Sequence, residues 1–196
     1  MKNSSNTRKI CVTAIMAALA TALMFLEIAV PFMPDFIKLD FSDLPALITS
    51  FAFGPLWGVA VCLVKNLVKL MNTYSAGVGE LANFILSGVF VFIAGTVYKN
   101  NKNKKSALIG AIIGAVAMAV ISFPSNYFVV YPVYENFMPA EAILGAYKII
   151  YPGTKSLAQA LLIFNVPFTF LKGIINAVIT FIIYKKISPL LKGKSI

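Results

Sequence analysis

The chain has 196 residues, of which 59% are hydrophobic and only 12% charged, with a mean hydropathy of +0.85. A soluble domain is about 45–50% apolar and about 25% charged, and one or two cores in a chain this short cannot bury the excess. The composition therefore specifies an integral membrane protein, and the absence of histidine excludes His-based catalysis and His metal sites.

The net charge of +10 is explained by position. Basic residues gather at Lys2, Arg8 and Lys9, at Lys99, Lys102, Lys104 and Lys105, and at Lys185, Lys186, Lys192 and Lys194. Each group lacks acids and flanks an apolar run, as expected for cytoplasmic ends under the positive-inside rule and for contact with anionic lipid. No aromatics interleave with these lysines as a nucleic-acid surface would require.

Residues 10–30 read as the first span, too long for a signal-peptide core and without a clear cleavage site. Within it Ala14, Ala18 and Ala22 recur every fourth residue. This spacing flattens one helix face for another helix, inside or outside the bundle. Residues 31–43 form a loop in which Asp40 and Asp43 are expected to be solvated caps for a helix starting near Leu44.

Residues 44–54 and 55–71 are two short apolar runs hinged at Gly54-Pro55. A full span needs roughly 20 apolar residues, and short or interrupted spans let polar groups line a cavity. Parity supports the division: with the tail and Lys99–Lys105 both inside, this region must cross twice or dip and return. Lys65 and Lys69, at i and i+4, either snorkel at the outer end or belong to a site.

Residues 81–98 and 107–123 are further spans, joined by the inner basic loop, and Asn83 lies about one turn into the first of them. Residues 124–157 form a long aromatic outer segment, expected to be functional given its length. Residues 158–184 are the last span. The expected fold is all-α in a single membrane domain over residues 1–196, with about six transmembrane helices and both termini cytoplasmic.

Polar residues inside spans are costly and point to function. Lys172 is far from either end of its apolar run, and Asn165, Thr169, Lys172 and Asn176 follow i, i+4, i+7, i+11 on one helix face. The stripe serves either a pocket wall or interhelical hydrogen bonds. Asn83 and Asn126 bring further amides to the outer level, and amides suit a flat neutral heterocycle because they both donate and accept. Cys11 and Cys62 have no metal-ligand spacing. There is no GxxxxGK[ST] phosphate loop, no GxSxG and no HExxH, so neither ATP binding of that kind nor catalysis is expected.

The run KLDFSDLPALI (38–48), then FGP, VKN, GELANF (79–84) and the late LKG (171–173) resembles the riboflavin-specific S component of energy-coupling-factor (ECF) vitamin transporters. The similarity extends over most of the chain. It implies a six-helix subunit that binds riboflavin at its outer side and delivers it inward, without a cofactor of its own. It also implies docking through Ala14, Ala18 and Ala22 on a transmembrane T component driven by two ATPases. Asn126, ahead of Tyr127, and Lys172 match family positions that hold the isoalloxazine; Thr169 stands where some relatives carry Asn, with Asn165 one turn earlier as a substitute. Lys38, Leu39, Asp40, Glu80, Asn83 and Asn176 complete the expected site. The alternatives are an S component for another heterocycle, such as thiamine or a queuosine precursor, and a membrane enzyme or scaffold without ligand.

Overall fold

The structure, a computed structural model, describes residues 2–73, 75–136 and 138–192, with side chains between residues 6 and 184. The third basic cluster (Lys185, Lys186, Lys192, Lys194) lies outside the described side chains. Among the described residues four helical stretches are long and apolar enough to cross a membrane: Asn6–Phe25, Val78–Asn100, Lys104–Tyr134 and Leu157–Tyr184.

Helix α1 spans Lys2–Phe25, ending five residues short of the expected first run. Past it the chain forms a two-stranded antiparallel ribbon, β1 (Ile28–Ala29) with β2 (Lys38–Leu39), pairing Ile28 with Leu39 and Ala29 with Lys38. Pro31 and Pro34 interrupt the helical run here, and the short ribbon supplies backbone partners within an otherwise helical fold.

Helices α2 (Asp43–Phe53) and α3 (Pro55–Lys69) form the expected hinged pair. Gly54 takes φ +110°, which an L side chain rarely adopts, and Pro55 enters α3 at its first position. The pair then packs backbone to backbone. A Cβ on Gly58 would lie 2.6 Å from Ser50 Cβ and 2.8 Å from the Ala46 carbonyl oxygen.

Helices α4 (Val78–Asn100) and α5 (Lys104–Ser125) form a second hairpin. Its turn is closed by Asn103, whose side chain accepts from Ser106 N at 2.7 Å. Residues 124–157, expected as a long outer segment, are largely helical. Pro124 lies inside α5, which continues through a π turn (Asn126–Val130) into α6 (Tyr131–Tyr134). Proline removes a backbone donor, and a wider turn absorbs the mismatch. Helix α7 (Ala140–Ile150) follows, and α8 (Leu157–Ala160) leads through a second π turn (Leu161–Asn165) into α9 (Val166–Lys192).

Two buried clusters hold the bundle. One joins Leu47, Ile48, Val61, Phe90, Val91, Ala111 and Ala115; the other joins Tyr131, Tyr147, Ala160 and Leu161. Outward, α5 exposes Leu108, Ile109, Ile112, Ile113, Val116 and Val120, an apolar face suited to lipid rather than water. On α1 the bundle buries Ala17 and Ala20, whereas Ala14, Ala18 and Ala22 are exposed.

Candidate ligand-binding site

The site is anchored by ionised side chains that the fold removes from solvent. Asp40 follows β2, and Ser42 and Asp43 enter α2; all three are buried. Asp43 Oδ1 accepts from Lys65 Nζ of α3 at 2.5 Å and from Ser87 Oγ of α4 at 2.5 Å. Lys65 Nζ also donates to Ser42 Oγ at 2.6 Å. Asp40 Oδ1 accepts from Ser42 N at 2.9 Å and from the Ser42 hydroxyl, while Asp40 Oδ2 accepts from Lys172 Nζ of α9 at 2.7 Å.

The expectation of solvated caps is therefore overturned. Ser42 occupies the N-cap of α2 without a side-chain cap bond, and both aspartates pair with lysines from other helices. Snorkelling is likewise excluded for Lys65, which is fully buried: its ammonium turns inward because a buried carboxylate waits there. Burial alone would push the Asp40 carboxyl up, but the Lys172 ammonium, with Lys65 behind it, outweighs that and holds it well below the usual carboxylate range.

In front of Asp40 and Lys172 lies a cavity of about 540 Å³, within the size range of small-molecule sites. Its apolar wall includes Met24, Phe36, Met118 and Phe168; its polar groups converge from several elements. Of the expected site residues, Lys38, Asp40, Glu80, Asn83, Asn126, Asn165, Thr169 and Lys172 line it together. Leu39, Tyr127 and Asn176 do not line it. Leu39 pairs with Ile28 in the ribbon, Tyr127 stacks on Phe123 with ring centroids 5.7 Å apart, and Asn176 donates to the Lys172 carbonyl at 3.0 Å.

Asn165 is held rather than free: it accepts from the Tyr147 hydroxyl at 2.7 Å and donates to the Tyr131 hydroxyl at 3.3 Å. The two phenols also bond to each other, and Phe36 meets both rings edge-on. Burial pushes the Tyr147 phenol far above its ordinary range, so it remains a donor. Glu80 accepts from Thr73 and Ser75 hydroxyls, each at 2.8 Å. At the other side Glu27 bridges Lys69 at 2.9 Å and Lys38 at 3.2 Å, and Lys69 lies 4.4 Å from the centre of the Phe25 ring.

Ser87, Tyr131, Tyr147 and Phe168 escaped the sequence reading, which expected Asp43 as a solvated cap and left Lys65 between snorkelling and a site. Ser87 falls one turn after Asn83 and Tyr131 four residues after Tyr127, so helical periodicity carried a signal for these two. Among the described residues no group of three or more His, Cys, Asp or Glu is placed to hold a metal ion. The arrangement can enclose a flat, mainly neutral molecule with donors and acceptors at its edge.

Comparison with known proteins gives a consistent result. The model of the family "ECF transporter, substrate-specific component" matches residues 8–184. The riboflavin transporter RibU of Staphylococcus aureus is 31% identical over 190 residues, covering 97% of this chain and 95% of that protein. The riboflavin transporter FmnP of Bacillus subtilis is 30% identical over 185 residues, with 93% of each chain covered. A solved structure described as the S component of a bacterial ECF transporter aligns with a TM-score of 0.75 at 31% identity, covering 95% of this chain and 99% of that one.

Proposed function

Because this chain belongs to the substrate-specific component family of ECF transporters and has, among the described residues, four helices long and apolar enough to cross a membrane, we propose that it captures riboflavin from outside the cell and delivers it inward. The observation that carries this reading is the cavity itself. It gathers Asn83, Asn126, Asn165 and Lys172 around an apolar, aromatic wall. Amides and an ammonium meet the carbonyl and ring-nitrogen edge of an isoalloxazine, while methionine and aromatic faces cover its plane. Glu80, Asp40 and Lys38 are polar enough to receive a ribityl chain. The likeness to proteins named riboflavin transporters supports the same ligand.

In this proposal α1, α2, α3, α4, α5 and α9 are the six membrane helices, with both termini in the cytoplasm. The two short helices cross together as an interrupted pair, and the basic clusters mark the inner face. The exposed stripe Ala14, Ala18 and Ala22 lets a long helix of a transmembrane T component lie close, and ATP is hydrolysed by two separate ATPase subunits. The chain needs no cofactor and performs no chemistry on its cargo.

Titration of detergent-purified protein into riboflavin tests the reading directly. Flavin fluorescence quenched to a stoichiometric endpoint is expected. Fluorescence unchanged at micromolar protein would refute riboflavin as the ligand.

A further inference from the structure

Asp40, Asp43, Lys65 and Lys172 form one buried group at the cavity wall, Asp40 and Lys172 lining it and Asp43 and Lys65 behind them, and their charges sum to zero. They are unevenly satisfied. Both oxygens of Asp40 are engaged, Oδ1 by Ser42 and Oδ2 by Lys172. Asp43 Oδ1 holds Lys65 and Ser87. Asp43 Oδ2 accepts no hydrogen bond among the described residues, although the side chain is fully buried. It lies 4.0 Å from Lys172 Nζ.

A buried carboxylate oxygen without a donor is costly and calls for an explanation. Here it stands a small side-chain adjustment away from an ammonium already seated on a neighbouring carboxylate. An ammonium has three donors and no directional lock, so both seats are open to it.

We propose that Asp43 is a second seat for Lys172, occupied when a hydroxyl-bearing ligand binds. Asp40 lines the cavity, whereas Asp43 does not. A ligand hydroxyl donates to Asp40 Oδ2, a short charge-assisted bond of the kind carboxylates make best. Lys172 shifts to Asp43 Oδ2, which gains the donor it lacks, and one N–H remains for the ligand ring. The four charges stay together, so the exchange leaves no buried ion uncompensated. Asp43 thereby acts as a positioning residue that makes Asp40 available to a polyol. A flavin without the ribityl chain has no hydroxyl to trigger the exchange.

The inference rests on the riboflavin reading, and its test separates the two. Dissociation constants are measured by fluorescence quenching for riboflavin and for lumiflavin, which has a methyl group in place of the ribityl chain. They are compared on the parent, on Asp43→Asn, and on Asp43→Asn/Lys65→Met, which removes the lysine that the single change would strand. The parent is expected to prefer riboflavin. Both variants are expected to lose about tenfold or more of that preference, as for a hydrogen bond to a charged group, with lumiflavin affinity held. Preference unchanged in the folded double variant, or both flavins weakened by the same factor, overturns the exchange and leaves the riboflavin reading intact. A parent that binds neither flavin overturns both.

Discussion

Replacing Lys65 with methionine isolates the electrostatic role of a side chain that is nowhere in contact with solvent. Its ammonium donates to Asp43, Ser42 and, at 3.4 Å, Ser87. Methionine nearly preserves the length and apolar stem, so little cavity is created. What remains is Asp43, buried, with the Ser87 hydroxyl on Oδ1 and the Lys172 ammonium, seated on Asp40, 4.0 Å from Oδ2. Breaking a buried pair by removing one partner costs about 3–5 kcal/mol. For a chain of this size each kcal/mol shifts the melting temperature by about 2–4 °C, so a fall of roughly 6–20 °C is expected. The assay is thermal unfolding in detergent followed by the fluorescence of Trp57, the chain's one tryptophan. Lys65→Met combined with Asp43→Asn should recover most of the loss, because a neutral pair carries no ionic desolvation cost. A single variant that melts within about 2 °C of the parent, a shift below 1 kcal/mol, would refute the reasoning. A double variant no better than the single would do the same.

Lys172→Gln should weaken riboflavin binding by about 10–150-fold in fluorescence titration, the range of a lost hydrogen bond to a charged group; an unchanged constant would remove Lys172 from the site. Acidification should leave the melting temperature level from pH 7 to about pH 4 and lower it below. The Asp40 carboxyl sits below its unfolded value of about 3.9, so its contribution is complete above that value and lost as pH falls through the folded one. A melting temperature that rises as the pH falls through about 4 would contradict that sign. Gly58→Ala should destabilise by about 1–3 kcal/mol, because the new methyl meets the Ala46 carbonyl, which belongs to the backbone and cannot rotate away; an unaltered melting curve would show that α2 and α3 can separate freely. Ala18→Trp, on the exposed face of α1, should leave riboflavin binding within about twofold while abolishing vitamin uptake in cells that supply the T component and ATPases. Uptake at the parent rate would exclude this face from docking.

The tyrosine pair shows how the fold adds what periodicity leaves out. Tyr131 and Tyr147 are 16 residues apart on α6 and α7, and only the turn between them sets both hydroxyls against Asn165. No local pattern announces such a junction, because hydrogen bonds between distant segments have no sequence period. The π turn after Pro124 has the same standing: proline predicts a break, yet the helix continues through a wider turn.

By itself the amino-acid sequence determined the membrane environment, the hinge at Gly54-Pro55, the four-residue spacing of alanines on α1, and the placing of Asn165, Thr169 and Lys172 on one helix face. These follow from composition, from the φ that only glycine readily adopts, and from the 3.6-residue repeat, all of which are local. The fold decided that the alanines face outward and that the polar stripe lines a cavity. Tertiary structure alone decided that Asp40 and Asp43 are buried and which lysine each one meets. The reason is energetic. An aspartate in a loop is stable in water wherever water reaches it, and burial becomes favourable only when a cation arrives from elsewhere in the chain. Lys65 lies 22 residues from Asp43, and Lys172 lies 132 residues from Asp40.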